Sequence, residues 1–540
     1  MTIDRRGFLG YAAIGSALAL AKPLSAVAQA AQPSYPPVEL PLEEITIGEL
    51  QDGMAGGRWN SHAIVINYLN RIDAIDKHGP MVNSIIELNP EALAIADAMD
   101  RERKAGHVRG PLHGIPVVIK DNIDTADRMA TSAGSLALAE NHAARDAFVV
   151  SRLREAGAVI LGKTNLSEWA NFRSTHSTSG WSGRGGLTKN PYVLDRNACG
   201  SSSGTGSAIA ANLATVGIGT ETDGSVVCPS SASGLVGIKP TLGLISRAGI
   251  IPIAHSQDTS GPMARTVRDA AILLGILTGA DERDPVTVSS RTKGHADYTR
   301  FLDADGLKGA RIGVARQYFG FNDATDKLMK DAIALIKSLG ATIVDPANIA
   351  TNGKFDATEN DVLQYEFKAD INKYLANAPA SVKSRTLADL IRFNEEHRAE
   401  EMPYFGQEIF EQSEKRGPLS DKKYIAALAK NHRLARTEGI DATLAKHKVD
   451  AIIAPTGGPV WATDLVNGDH FTGGYSSASA VAGYPHITVP TGMVFGLPVG
   501  VSFFAGAWSE PTLIKYAYAF EQASKARQKP KFLPTAGLSS

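Results

Sequence analysis

The segment 197–241, NACGSSSGTGSAIAANLATVGIGTETDGSVVCPSSASGLVGIKPT, restricts what this chain can build more than any other stretch, because almost none of its side chains is large. Two Gly/Ser clusters, 200–206 and 220–225, enclose one short apolar run. Glycine reaches backbone conformations that strain other residues, so such clusters let main chain approach a ligand or another segment closely. Residues 207–213 read as a buried helix and 214–219 as a buried strand, a path that leaves and returns with the two serine clusters side by side. A flexible linker shares this composition but has no reason to enclose apolar secondary structure.

Around it the chain alternates between helical and extended patterns. Asn60 or Ser61 caps a helix whose Ile64, Tyr68, Leu69, Ile72 and Ile75 recur at helical spacing, and Gly79-Pro80 stops it. A strand is expected over 82–88. Asn89, Pro90 and Gly106 then delimit a second helix with Arg101, Arg103 and Lys104 in its last turns, where the dipole favours cations. Further strands are expected at 115–119, 158–161, 310–315, 341–344, 451–454, 487–489 and 499–504, with helices at 147–156, 323–339 and 512–523. The section 368–445 reads as mostly helical and charged, flanking a sheet. This is α/β organisation.

With 43% hydrophobic and 21% charged residues among 540, the chain has an ordinary globular composition and ample material for a core. The N-terminus carries Arg5-Arg6, a weakly apolar run at 10–21 and a small-residue site at Ala28-Gln29-Ala30, which together read as a twin-arginine signal peptide over 1–30. The apolar run is shorter than the ~20 residues a membrane span needs. The expectation is therefore export to the periplasm or beyond, a Pro-rich arm over 31–42, a single domain over 43–540 and no stable membrane association afterwards. Loss of Asp4, Arg5, Arg6 and Lys22 takes the formal charge from −1 to −3, which offers no electrostatic case for a nucleic-acid partner. A monomer is expected.

Cys199 and Cys228 are the two cysteines. Oxidising surroundings would allow a disulfide if their loops meet, but free buried thiols are the favoured reading, because a bridge there constrains loops that must admit a ligand. The histidines are scattered and neither H-E-x-x-H nor C-x-x-C occurs, so no metal or other cofactor is expected.

Two motif matches compete. Residues 157–164, GAVILGKT, satisfy the phosphate-loop expression letter for letter, but the four residues between the glycines are Ala-Val-Ile-Leu, themselves a strand, whereas a phosphate cradle needs bare main-chain amides after one. Residues 200–204, GSSSG, satisfy the nucleophile-elbow expression and would make Ser202 the nucleophile of an α/β-hydrolase-type esterase with a histidine base. The preceding VLDRNAC lacks the apolar strand an elbow requires.

A third pattern fits better. Residues 199–205 (CGSSSGT), 219–225 (GTETDGS), 237–241 (GIKPT), 258–265 (DTSGPMAR) and 114–122 (GIPVVIKDN) occur in the order found in the amidase signature family of serine amidohydrolases, which this chain resembles over most of its length after about residue 40. The wording CGSSSG, GTETDGS and AWSEP resembles bacterial peptide amidases in particular. The resemblance implies one large mixed β-sheet flanked by helices on both faces. It also implies Ser225 as nucleophile, Ser201 as a bridging serine behind a cis peptide bond and Lys120 as general base. The amides of Thr222, Asp223, Gly224 and Ser225 would form an oxyanion hole. Asp223 stands where glycine is common and would add a carboxylate that disfavours anionic substrates.

The chemistry constrains Lys120 sharply, since an ammonium of pKa about 10.4 has no lone pair at neutral pH. Burial behind the apolar run 115–119 would depress that value, and Asp121 must point away. The implied reaction is hydrolysis of a carboxamide to carboxylate and ammonia, with the C-terminal amide of a peptide as the favoured substrate. Alternatives within the resemblance are a general aliphatic, aryl or fatty acid amidase and the glutaminase subunit of an amidotransferase. The segment 167–173, SEWANFR, is expected to line the pocket, with Asn171 as a polar contact and Ser202 as a further substrate contact; Trp169 and Phe172 read equally as substrate contacts or as core aromatics.

Overall fold

The computed structural model describes residues 40–537. The expected signal segment and nearly all of the Pro-rich arm lie outside those residues. Among the described residues no helix is long and apolar enough to cross a membrane.

The centre is an 11-stranded mixed sheet. Its strands are β1 (Ile85–Leu88), β2 (Pro116–Lys120), β3 (Val159–Thr164), β6 (Val216–Glu221), β7 (Val236–Lys239), β8 (Thr259–Ala264), β9 (Arg311–Val314), β10 (Thr342–Val344), β11 (Ala451–Pro455), β12 (His486–Val494) and β13 (Leu497–Phe504), in the order β1-β3-β2-β6-β8-β7-β12-β13-β11-β9-β10. A separate two-stranded pair joins β4 (Trp181–Ser182) to β5 (Gly186–Leu187). Every residue of β2, β3, β6 and β8 is buried, which is why these strands read as continuous apolar or small-residue runs rather than alternating ones. The sequence pattern marks β1, β2, β3, β6, β9, β10, β11, β12 and β13 but not β7 or β8, whose glycine, proline and lysine content lowers their strand signal.

The rejected phosphate loop is settled by this sheet. Residues 159–164 are β3, and Lys163 is fully buried, donating to Ile123 O at 2.6 Å and Thr131 Oγ1 at 2.8 Å. No anion cradle exists there.

β2 and β6 are parallel neighbours, with Val117 opposite Val216 and Ile119 opposite Ile218. Their carboxyl ends therefore open on the same edge, the place where α/β sheets present ligands. The connection into β6 is the helix Ser203–Ala210, all of whose residues are buried. Smallness is what lets it lie there: a Cβ on Gly204 would come within 2.4 Å of both Asn165 O and Ser84 O. The flanking helices Asp356–Ala376, Leu387–Glu396 and Glu408–Glu414 form a second apolar cluster, with Phe367, Leu390 and Phe410 packed on Trp169 and Phe172.

Gly204→Ala is therefore expected to destabilise the fold by about 1–3 kcal/mol, the usual cost of overpacking. Chemical unfolding of the variant beside wild type measures it. An unchanged midpoint would show that the helix can slide away from the two carbonyls.

Candidate active site

The carboxyl end of β2 delivers Lys120 into the interior with 0% exposure. Its Nζ donates to Ser201 Oγ at 2.7 Å, Thr220 Oγ1 at 2.9 Å and Thr220 O at 3.3 Å. Among the described residues no carboxylate hydrogen-bonds or pairs with it. Burial pushes the amine down to about 7, against the weaker opposing pull of Asp258 and Glu221. Asp121 turns away as expected, accepting from Ser132 Oγ and Gly134 N and lying 3.6 Å from Arg184.

Ser201 follows a cis peptide bond from Gly200 and precedes the helix Ser203–Ala210. Ser225 lies in the turn between β6 and the helix Val227–Ala232. Ser202 N donates to Ser225 O at 3.2 Å, so the two serine clusters do meet as the chain path required. Ser225 is 8% exposed and Ser201 1%, and the Ser225 hydroxyl has no hydrogen-bond partner among the described residues. The Lys120–Ser201 link is thus formed while the Ser201–Ser225 hydrogen bond is not.

Among the described residues the main-chain N–H groups of Thr222, Asp223, Gly224 and Ser225 donate to no protein acceptor. The next two, Val226 and Val227, are occupied by Glu221 Oε2 at 2.8 and 3.1 Å. A buried carboxylate thus caps the helix start and leaves four consecutive donors unspent. Asp258 holds the turn from the other side, accepting from Thr222 Oγ1 at 2.6 Å and from Ile253 N and Ala254 N at 2.8 and 2.9 Å, and burial raises it to about 6. Asp223 accepts from Ser477 Oγ at 2.6 Å while its Oδ1 is buried without a partner. Burial raises its pKa, which makes its repulsion of an anion weaker than the sequence alone implies.

The cysteine expectation is corrected. Cys199 and Cys228 form a disulfide, with Cα atoms 6.0 Å apart. The flexibility argument for free thiols fails because these loops are already fixed: Ser203 Oγ bonds Cys199 O at 2.6 Å and Cys228 N bonds Gly224 O at 2.8 Å. A bridge there costs no motion the site uses.

The expected pocket segment reaches the cavity wall through Ala170, and of the two readings of its aromatics the structure takes the core one. Trp169 and Phe172 are core aromatics, edge-on to Phe410 and Phe367 at 5.6 and 5.2 Å. Ser202 is fully buried, its hydroxyl donating to Thr220 O at 3.1 Å and accepting from Thr220 N at 3.2 Å. Asn171 Nδ2 donates to Ser179 Oγ at 2.9 Å, leaving Oδ1 unpartnered. Trp169, Ala170 and Asn171 all have positive φ, at 50°, 54° and 68°, a run that costs roughly 1–2 kcal/mol per residue. The buried pair Arg173–Glu168, at 3.1 Å, anchors it.

Sequence reasoning assigned no role to Thr220 or Asp258, which orient the lysine and the turn. Both sit inside quoted motifs, and the missing information was their partners. A cavity of about 560 Å³ abuts the turn at Thr220, Glu221 and Thr222, with Asn122, Asp258 and Tyr374 also in its wall. Among the described residues the group with metal-ligand spacing is His255, Glu366 and Asp370. The two ring nitrogens face different carboxylates, so one ion could take only one side of the ring.

The amidase family model matches residues 63–514. The structure superposes on that of native peptide amidase from Stenotrophomonas maltophilia with a TM-score of 0.86 at 49% identity, covering 91% of this chain and 99% of that one. A structure of the peptide amidase PAM with the competitive inhibitor chymostatin gives 0.88 at 50% identity, covering 91% and 100%. A protein described as a probable amidase from Arabidopsis thaliana is 42% identical over 503 residues, 91% of this chain and 92% of that protein.

Replacing Cys199 and Cys228 by serine is expected to lower unfolding free energy by about 3.6 kcal/mol, the chain-entropy value for cysteines 29 positions apart. Denaturant titration of oxidised, reduced and double-serine protein checks it, and equal midpoints would contradict it.

Proposed function

We propose that this chain, which belongs to the amidase family and is an amidohydrolase, removes the C-terminal carboxamide of peptides through an acyl-enzyme on Ser225. The observation that carries the mechanism is a fully buried lysine amine at 2.7 Å from Ser201 Oγ whose hydrogen-bond partners among the described residues are hydroxyls and a carbonyl. A neutral amine in that place can accept a proton. Lys120 takes the Ser201 proton as Ser201 takes that of Ser225, and Ser225 Oγ bonds to the amide carbon. The carbonyl oxygen becomes an oxyanion facing the amides of residues 222–225, each donor worth roughly 3 kcal/mol. The C–N bond breaks as the proton returns along the same path to the leaving nitrogen, which departs as ammonia. Water then attacks the ester and releases the carboxylate.

The peptide assignment draws on the close likeness to peptide amidases, and a general aliphatic or aryl amidase is the runner-up. Export by the twin-arginine route remains part of the proposal, supported by the N-terminal pattern and by a disulfide of the kind oxidising compartments preserve.

Ammonia release from blocked peptide amides, free amino acid amides, fatty acid amides and glutamine is the direct test. Blocked peptide amides should be turned over best, with internal peptide bonds spared. Turnover restricted to fatty or aryl amides would move the assignment to the runner-up. Ser225→Ala and Lys120→Ala should each lose about a thousandfold or more in kcat. Because Lys120 works only as the free amine, kcat/KM should fall tenfold per unit below a pH of about 7 and level off above it. A profile flat down to pH of about 5 would remove the lysine from its role as base.

A further inference from the structure

The helix Asp356–Ala376 presents Glu359, Glu366 and Asp370 at helical spacing, and each holds one of three consecutive residues. His255 bonds Asp370 Oδ2 twice, through Nδ1 at 2.7 Å and its own N–H at 3.1 Å. Ser256 N donates to Glu366 Oε2 at 2.9 Å. Gln257 Nε2 donates to Glu359 Oε1 at 3.0 Å. The same Gln257 nitrogen lies 3.3 Å from Thr222 O, and the next residue, Asp258, accepts from Thr222 Oγ1. Both ends of Thr222, the first residue of the four-amide turn, are therefore held by a segment that the helix grips.

The imidazole is the electrostatic centre of that grip. Glu366 is fully buried, and its Oε1 accepts from Tyr424 OH on the helix Lys422–His432 while lying 3.5 Å from His255 Nε2. Facing the ring are Asp370 and Glu366 from one helix, Tyr424 from the other and Arg247 from the loop that precedes it. Two carboxylates against one cation source leave the ring holding its proton more tightly than usual, first through the Asp370 hydrogen bond and against the effect of burial.

We propose that His255 is a positioning residue for the hydrolysis: as an imidazolium between Asp370 and Glu366 it binds residues 255–258 to the helix Asp356–Ala376, and through Gln257 and Asp258 it sets Thr222 and the oxyanion amides. This rests on the reading of residues 222–225 as the oxyanion hole of a Ser225 nucleophile. Raising the pH removes the ring's charge and its Nε2 proton, leaving two facing carboxylates with no cation between them. The turn loosens as a result. Lys120 gains competence in the opposite direction, so kcat rises with pH on the lysine's account and falls on the histidine's.

The test measures kcat and KM for ammonia release from a blocked dipeptide amide over roughly pH 5 to 10, using wild type, Glu366→Gln, His255→Asn and Ser225→Ala. Glu366→Gln keeps the shape of the side chain but removes one carboxylate, so the alkaline limb should move to lower pH with the acid limb unmoved. His255→Asn should lower kcat by about tenfold at the wild-type optimum, less than loss of a whole oxyanion donor, with KM nearly constant and the alkaline limb gone. The NMR titration of the His255 ring should shift in the same direction in Glu366→Gln. An alkaline limb unmoved by both substitutions, or an effect on KM alone, overturns the proposal. Ammonia release by Ser225→Ala overturns the nucleophile reading and this proposal with it. An inactive Ser225→Ala beside an unaltered limb overturns this proposal alone.

Discussion

The site depends on keeping one amine out of water without giving it a counter-charge. A lysine buried beside a carboxylate would stay protonated and useless as a base, whereas one buried among hydroxyls and a carbonyl has every reason to shed its proton. Lys120 meets that condition because the adjacent acid, Asp121, is engaged by Ser132, Gly134 and Arg184. The nearest other acids, Asp258 and Glu221, are themselves tied to Thr222 and to a helix start. Each of these carboxylates is held by its own donors through at least one oxygen, so none closes on the amine, although Asp121 Oδ1 and Glu221 Oε1 are left buried without a partner.

Close packing of main chain is the second requirement, and it explains the composition of the central segment. The serine loops, the helix Ser203–Ala210 and strand β6 lie so near one another that a methyl group at Gly219 would strike Ser202 Oγ at 2.7 Å, and one at Gly217 would strike Thr205 Cγ2 at 2.6 Å. The small residues are not there for flexibility. They let two turns and a strand end share one small volume, after which the disulfide and hydrogen bonds to Cys199 O and Gly224 O lock the arrangement.

The flanking helices are part of the same construction. The helix Asp356–Ala376 grips residues 255–257 with three acids, and its Phe367 packs on Phe172 beyond the left-handed run 169–171. Arg173, fully buried beside Glu168 and 4.5 Å from the Phe405 ring, fixes the end of that run. Two loops near the turn 222–225 are thus held in costly or charged conformations by helices distant in sequence.

Much of this was legible in the residues. The pattern of apolar residues marks most strands and helices because a sheet covered on both faces and the helices that cover it impose it, and the ordered motifs mark Lys120, Ser201 and Ser225 because nucleophile and base chemistry needs those residue types. β7 and β8 stayed hidden, since their glycine and proline content is set by close neighbours rather than by strand propensity. The roles expected of Trp169, Phe172 and Ser202 and the free cysteines could not be judged from local sequence, which does not say what faces a side chain. What the sequence determined by itself was the inventory of reactive groups and the order of elements. Only the tertiary structure decided which acids would be spent before reaching the lysine, because that depends on which donors the folded loops bring to Asp121, Glu221 and Asp258, where a hydrogen bond made in one place withdraws a charge from another.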